Sequence, residues 1–350
     1  MLDIFPCAYA SLNWVAHYKA LPEDFKVREN LSFAFEENEG EHLYLLIEKR
    51  ALTTDWVAKM LARYFDVSLR DVGFAGKKDK WALTEQWFSV WLPGKAQNMI
   101  LTSLTDFSEN CRLLKARWHR AKLRKGAIEK NDFEIIVRSH QPPDKLAIEN
   151  RLTQIKNMGF PNYYGSQRFG VNGNNIEQAK NWFDRKIKVK KNTQGILISA
   201  VRSYLFNLIL AKRIELNNWD QPVSGDCFIL EGSRRYFTSE ELIPENKARC
   251  QEKDIHPSAA LWGRGRNDAK LDALQIESSV IQEFKNLCEP LEFKGVAIDR
   301  RALRAMPQNL VWKWGDDNQL KLQFSLASGA YATSLLKEMG QISEFHPDMV

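Results

Sequence analysis

The acidic residue Asp79 lies in a Gly-rich turn within the stretch GFAGKKDKWALTEQWFSV (residues 73–90), with Lys77, Lys78 and Lys80 around it. Such a turn lets the backbone approach a substrate closely, and the strand pattern after it would support the turn rigidly. Flanking lysines lower the pKa of a carboxyl group and keep it ionised, as a nucleophile or general base requires near neutral pH. The stretch therefore indicates a candidate catalytic anion, and a solvated charge cluster is the alternative.

Two further stretches combine residue types that recognise an unpaired base. PNYYGSQRFG (residues 161–170) joins adjacent tyrosines, amides and an arginine, and KLRKGAIEKNDF (residues 122–133) ends a basic run in Asn131 and Phe133. An amide can read the edge of a base while an aromatic ring stacks on its face. RNA recognition is one interpretation, and ordinary core or strand positions for these rings are the other.

Positive charge is concentrated in two blocks. The 350-residue chain has a formal net charge of +6, which favours an anionic partner but decides little alone. The segment from Arg112 to Lys130 contains a single acid, Glu129, and a second basic block runs from Arg185 to Lys191. Blocks of this kind with interleaved aromatic residues are typical of a phosphate-binding groove, and a solvated basic face is the alternative.

Several classes of site and protein are not indicated. Five widely separated cysteines without CxxC spacing and six scattered histidines argue against a disulfide framework and a zinc site, so we expect buried thiols and no metal. No apolar run approaches the roughly 20 residues of a membrane span, and the N-terminus lacks a basic segment followed by an apolar core. We therefore expect a cytoplasmic protein.

The order of the predicted elements indicates an inserted domain. HLYLLIEKR and QWFSVWLPG have strand patterns, and TTDWVAKMLARYFDV is typical of a helix with Thr54 at its N-cap. After Gly159 the sequence is mostly helical, including TSEELIPENKARCQEK after the cap pair Thr238 and Ser239, and strand alternation resumes near Pro307. This order suggests that the middle third is inserted into a domain built from both ends of the chain.

Five motifs together resemble the tRNA pseudouridine synthase D (TruD) family: KALPEDFKVRE, VGFAGKKDKWALTEQW, KLRKGxxxxNxF, PNYYGSQRFG and LASGAYATSLLKE. They occur in the family's order and cover nearly the whole chain, from Lys19 to Glu338. Each motif alone would be weak evidence, but five in order are specific.

The resemblance implies an α+β fold, in which a pseudouridine synthase fold with a mixed, largely antiparallel curved sheet and helices is interrupted by a mostly helical TRUD domain. The discontinuous catalytic domain would cover residues 1–158 and 306–350, and the TRUD insertion residues 159–305. The cleft between them would bind RNA, with the two basic blocks on opposite walls. The implied activity is isomerisation of uridine to pseudouridine in tRNA, in the bacterial branch at uridine 13 of tRNA-Glu.

The resemblance also implies site residues. By its position in the motif, Asp79 matches the family's catalytic aspartate. Phe25, Asn131 and Tyr331 match positions that line the uridine pocket, and Phe133 beside them would be a stacking ring. Where many relatives have GNxF this chain has KNDF, which replaces a glycine by a charged residue and keeps Asn131 and Phe133 in place.

The implied chemistry requires few groups. The reaction breaks the N1–C1′ bond, rotates the uracil and joins C5 to C1′ without redox change or hydrolysis, so one carboxylate suffices where glycoside hydrolysis uses two. We therefore expect no cofactor. Asp79 would attack C1′ or remove a sugar proton to give a glycal, with Lys19 as its basic partner and Lys78 or Lys80 as competitors. The target uridine must leave its stack.

Two other functions remain open from the sequence. The first is an RNA-binding or RNA-folding protein with a vestigial Asp79, and the second is a nucleic-acid glycosylase that releases free uracil. Retention of Asp79 together with Phe25, Asn131 and Tyr331 favours the isomerase, because binding alone does not need an ionised carboxylate among stacking groups. We expect a monomer that acts on tRNA, with no membrane or metal partner.

Overall fold

A computed structural model of the chain describes residues 5–35, 38–95, 107–170, 173–316 and 318–345. By packing, the chain divides into two units. The sheet unit comprises Asn13–Glu149, Pro307–Gly329 and Gly340–Val350, and the helical unit comprises Met1–Leu12, Asn150–Met306 and Ala330–Met339.

Runs of strands are separated by single helices or pairs of helices along the chain. In chain order the strands are β1 (Val15–Tyr18), β2 (Phe25–Leu31), β3 (His42–Arg50), β4 (Val72–Phe74), β5 (Leu83–Trp91), β6 (Cys111–His119), β7 (Ile128–Arg138), β8 (Phe160–Pro161), β9 (Cys227–Leu230), β10 (Tyr236–Thr238), β11 (Ile255–Leu261), β12 (Asp299–Ala302), β13 (Arg304–Ala305), β14 (Gln308–Trp314), β15 (Gln319–Ala327) and β16 (Gln341–Glu344). The α-helices are α1 (Thr54–Tyr64), α2 (Lys145–Met158), α3 (Asn174–Phe183), α4 (Lys191–Glu215), α5 (Pro244–Gln251), α6 (Leu271–Glu283), α7 (Lys285–Phe293) and α8 (Ala332–Lys337).

Within the described residues, the sheet unit contains a ten-stranded sheet. Seven of its strands form a continuous path in the order β14–β15–β7–β2–β5–β3–β6, while β1 pairs with β7 and β16 and β4 pairs with β5. The pairs β1–β16 and β2–β5 are parallel and the remaining pairs are antiparallel. A mixed, largely antiparallel sheet with helices confirms the predicted fold class.

Alternation along β3 explains the core of the sheet unit. Leu43, Leu45 and Ile47 point to one face, where they pack with Val57 and Leu61 of α1 in a fully buried cluster. Successive side chains of a strand point to opposite faces, so the lysine two positions after Ile47 is directed to the same inner face as these three side chains.

The start of α1 differs from the prediction by one residue. The N-cap is Thr53, whose side chain accepts a hydrogen bond from the main-chain N–H of Trp56. Thr54 is instead the first helical residue, and its buried hydroxyl donates to Gln86 at 2.9 Å. The prediction was wrong because either threonine can cap a helix locally, and the contact with β5 decides between them.

The helical unit is built around α4, whose side chains Leu205, Phe206 and Leu210 are completely buried. It also contains a four-stranded sheet in the order β10–β9–β11–β12, which the sequence analysis did not predict. The predicted cap pair before α5 is wrong, because Thr238 ends β10 and the helix begins at Pro244.

By length and composition alone, α4 is apolar enough to cross a membrane, although 56% of its most apolar stretch is buried inside the folded protein. A buried core helix meets the same criteria, so this is weak evidence of a span. The sequence analysis did not count this segment as a possible span, because polar residues interrupt its apolar run. None of the five cysteines, all of which lie in the described ranges, forms a disulfide; four are buried and Cys7 is partly exposed.

The bounds of the two packing units differ from those of the predicted domains. Residues 5–12, 150–158 and 330–339 pack in the helical unit, although the prediction placed them in the catalytic domain. Contacts explain the grouping: the ring of Phe5 stacks on Tyr163 with centroids 5.3 Å apart, and the N-terminal segment also donates hydrogen bonds to a carboxylate just after α8. The extent of the TRUD insertion stays a prediction.

Candidate active site

Asp79 lies on the loop between β4 and β5, and three buried side chains hold the main chain of this loop. Thr54 accepts a hydrogen bond at 3.0 Å from the N–H of the residue before Asp79. Gln86 donates to the carbonyl of Gly76 at 2.7 Å, and the Lys49 ammonium donates to the carbonyl of Asp79 at 3.1 Å. The backbone is therefore fixed on both sides of Asp79, whose side chain is 28% exposed.

Lys19 contacts the carboxylate itself. Its Nζ lies 3.4 Å from Oδ2 of Asp79 and 3.0 Å from Oε1 of Glu344, and its side chain is buried. The same Nζ lies 4.6 Å from the ring centroid of Phe25, and the indole of Trp81 donates to the Lys19 carbonyl at 2.9 Å. A buried cation is thus held in place beside the candidate catalytic anion.

The lysines adjacent to Asp79 in sequence are directed elsewhere. Lys78 pairs with Glu29 at 2.5 Å, and both side chains are buried. Lys77 pairs with an acid of α1 at the surface, and Lys80 is exposed. Within the described ranges, Lys19 is the lysine in ion-pair contact with the Asp79 carboxylate, so the local argument that flanking lysines act on Asp79 named the wrong side chains.

Two charged residues of this region were missed by the sequence analysis as site residues. Lys49 continues the inward row of β3, and Glu29 shares a face of β2 with Phe25 and Val27. Burial lowers the pKa of Lys49 to about 8, opposed by the negative charge of Asp79, and burial raises the pKa of Glu29, opposed by Lys78. A charged residue in an otherwise apolar row was the signal that could have found both, because such residues are rarely buried without a partner.

The predicted aromatic and amide residues share one face of the sheet. The buried ring of Phe25 lies 6.0 Å from that of Phe133, which stacks on Phe324 at 5.4 Å. Asn131 precedes Phe133 by two residues on β7 and lies opposite Glu29 on β2. Its side-chain oxygen is buried and has no hydrogen-bond partner among the described residues. An unsatisfied acceptor costs free energy, so this oxygen is suited to a donor from a ligand.

Tyr331 belongs to the helical unit, where it is the N-cap residue of α8. Its ring lies 5.8 Å from that of Tyr164, and the Arg301 guanidinium lies 4.0 Å from the Tyr164 centroid. Burial raises the pKa of Tyr331, and the positive charges of Arg168 and Arg301 oppose this shift. The unit thus brings Tyr331 together with the PNYYGSQRFG motif, in a cluster of aromatic rings and arginines.

The acidic residues near Asp79 pair with lysines rather than with one another. Glu29 contacts Lys78, and Glu344 and Asp79 share Lys19. Within the part of the chain that the structure describes, no group of three or more His, Cys, Asp or Glu residues is placed to hold a metal ion.

Comparison with known proteins identifies the family. The family model described as tRNA pseudouridine synthase D (TruD) matches residues 11–179 and 174–339. The tRNA pseudouridine synthase D of Nitrosococcus oceani is 42% identical over 325 residues, which cover 92% of this chain and 90% of the relative. That of Hydrogenovibrio crunogenus is 38% identical over 342 residues, 97% of each chain.

A solved structure supports the fold independently. It is described as a putative tRNA pseudouridine synthase D from Methanosarcina mazei. The two structures align over 97% of this chain and 96% of that chain, with a TM-score of 0.70 and 20% sequence identity. At that identity the likeness concerns the fold alone. The match of the family model along nearly the whole chain and the identity to the two relatives confirm the resemblance seen in the sequence motifs: the chain belongs to the tRNA pseudouridine synthase D family, whose members are isomerases.

Proposed function

We propose that the protein converts uridine to pseudouridine in tRNA, at uridine 13 of tRNA-Glu, with Asp79 as the catalytic carboxylate. Family membership supports pseudouridine synthesis in tRNA. The observation that carries the catalytic assignment is the contact between Asp79 and Lys19 at 3.4 Å. The buried ammonium places a positive charge beside the carboxylate, and a partly exposed carboxylate on a fixed loop can meet a substrate.

The proposed reaction uses Asp79 as an anion. It attacks C1′ of the target nucleotide or removes a sugar proton to give a glycal, and either route breaks the N1–C1′ bond. The freed uracil rotates and its C5 bonds to C1′, which releases Asp79 from C1′ on the first route and is followed by return of the sugar proton on the second. N1 takes up a proton, and the C5 hydrogen goes to solvent. No electrons pass to or from a carrier, so the proposal includes no cofactor.

Asn131 and Phe133 are proposed to hold the base. The target uridine leaves its stack at a cost of a few kcal/mol, and stacking on an aromatic ring can offset about 1–3 kcal/mol of that cost. The unpartnered side-chain oxygen of Asn131 could accept the uracil N3–H. Retention of the base between ring and amide would favour isomerisation over release of free uracil.

The two basic blocks are proposed to bind phosphates. In the sheet unit, Arg112, Lys115 and Arg117 are exposed on β6, which lies at one end of the strand order. In the helical unit, the block from Arg185 to Lys191 connects α3 to α4 and most of its side chains are exposed. Exposed lysines and arginines that neutralise RNA phosphates make binding fall as salt rises.

The testing experiment uses tRNA-Glu labelled with tritium at uracil C5, incubated with the wild-type protein and with Asp79→Asn. We expect the wild-type protein to release tritium without free uracil, and Asp79→Asn to release it at least about a thousandfold more slowly. Asp55→Asn is the matched control, because Asp55 is an exposed carboxylate whose partner is Lys77. A substrate without uridine 13 should release nothing if that position is the target.

Each alternative has its own outcome in this assay. Release by Asp79→Asn at the wild-type rate would exclude a catalytic role for Asp79. Free uracil would indicate a glycosylase, and tRNA binding without release would favour an RNA-binding protein. Tritium release from tRNA-Glu lacking uridine 13 would move the target to another position.

A further inference from the structure

Lys49 is a buried cation that has no role in the proposed reaction steps. It lies on β3 between Thr84 of β5 and Cys111 of β6, and its side chain is completely inaccessible to solvent. Its Nζ donates to two main-chain carbonyls, that of Leu52 at 2.7 Å and that of Asp79 at 3.1 Å. The ammonium therefore connects the strand, the segment before α1 and the loop that carries Asp79.

A lysine at such a position is costly for folding. Removal of a charge from water is unfavourable unless partners compensate for it, and burial lowers the pKa of Lys49 to about 8. The rest of the inward row of β3 is apolar, with Leu43, Leu45 and Ile47 at the preceding positions. An apolar residue would fit the row at lower cost, so the ammonium indicates a requirement at the loop.

We infer that Lys49 is a positioning residue for the proposed reaction: its buried ammonium holds the main-chain carbonyl of Asp79 and thereby aims the carboxylate. This inference rests on the proposed function. Lys19 contacts the carboxylate, whereas Lys49 acts through the backbone of the same residue. Thr54 accepts a hydrogen bond from the main-chain N–H of Lys78, the residue before Asp79. The backbone that carries the Asp79 side chain is therefore held both before Asp79 and at its carbonyl.

Protonation of Lys49 links this role to pH. The charged or titratable groups that act on its ammonium are Asp79 and Lys78 of the loop and Cys111 of β6. The charged form donates more strongly to both carbonyls. The rate of the chemical step should therefore fall as pH rises through about 8.

Folding stability should change in the opposite direction. The pKa of Lys49 is lower in the folded protein than its ordinary value of 10.5, so the folded state favours the neutral amine. Its contribution to stability consequently rises as pH increases from about 8 towards 10.5. A purely structural Lys49 would make activity follow stability, whereas a positioning Lys49 makes the two diverge.

The experiment measures tritium release in a single turnover at saturating tRNA. Lys49→Met should lower this rate by about 10- to 100-fold, since a small misplacement of a catalytic group has an effect of that order, with tRNA affinity unchanged. It should also remove the alkaline decline of the wild-type rate. Thr84→Val is the matched control, because Thr84 is the buried neighbour of Lys49 on β5 and its hydroxyl has no partner among the described residues.

The outcomes separate this inference from the proposed function. Wild-type release together with an undiminished rate in Lys49→Met would overturn the inference alone. If Lys49→Met does not fold, the pH profile of the wild-type protein decides: a flat single-turnover rate between pH 7 and about 9.5 overturns the inference, and a decline with retained tRNA binding and stability supports it. No release by the wild-type protein would overturn the proposed function and the inference with it.

Discussion

The helical unit contains two pairs of buried, oppositely charged side chains. Arg300 donates to Glu277 at 2.6 Å and Arg213 to Asp226 at 2.9 Å, and all four side chains are almost completely buried. The remaining donors of Arg300 and Arg213 go to side chains and carbonyls of the same unit. The partners of these two arginines therefore all lie within the helical unit.

In the sheet unit, two buried lysines converge on a residue that solvent reaches. Lys19 contacts the carboxylate of Asp79 and Lys49 its carbonyl, while the side chain of Asp79 remains 28% exposed. Burial of charge is therefore common to both units and does not mark a site by itself. The candidate site is distinguished because its buried cations support a carboxylate that a substrate can approach.

Arg300→Met tests the buried Arg300–Glu277 pair of the helical unit and has the largest expected effect on folding. The substitution leaves Glu277 buried without its cation, and loss of one partner of a buried pair costs about 3–5 kcal/mol. We expect the free energy of unfolding in urea to fall by this amount, with tritium release per folded molecule unchanged. The double variant Arg300→Met/Glu277→Leu should recover most of the loss. Wild-type stability in the single variant would show that the pair is dispensable.

Lys19→Met tests the buried cation beside Asp79. It should have a large effect on the reaction rate and a small effect on stability, the reverse of Arg300→Met. We expect the single-turnover rate to fall about 100-fold, equivalent to about 2.7 kcal/mol of activation free energy. Stability should change by less than about 1 kcal/mol, because Asp79 and Glu344 remain partly exposed to water. Lys26→Met is the control, since Lys26 pairs with Glu134 on the opposite face of the sheet. A large loss of stability with an unchanged rate would place Lys19 in the same class as Arg300.

Charge reversal of the two basic blocks has the smallest expected effect and compares the units as RNA-binding surfaces. Lys115→Glu with Arg117→Glu in the sheet unit, and Lys188→Glu with Lys191→Glu in the helical unit, change exposed residues. We expect each pair to lower tRNA affinity about tenfold at low salt, with a smaller difference at high salt. The rate at saturating tRNA should be retained. Unchanged affinity for one pair would remove that block from the proposed RNA surface.

The elements that sequence reasoning predicted are those with a long, regular pattern. β3 and α1 lie within the predicted stretches because alternation and helical spacing are local properties. The sheet of β9 to β12 was not predicted because three of its four strands have only three or four residues and the strands lie among helical patterns. The N-cap of α1 was displaced by one residue because two adjacent threonines have the same capping ability.

The sequence by itself determined the family and the motif positions that carry Asp79, Asn131 and Phe133, because residue type and order along the chain are enough to recognise them. Only the tertiary structure decided which cation meets Asp79. Lys78 is its neighbour but turns to a buried acid, whereas Lys19, 60 residues earlier, reaches the carboxylate. Consecutive side chains of a loop point in different directions, and pairing across a sheet brings distant residues together, so proximity in sequence does not predict contact in space.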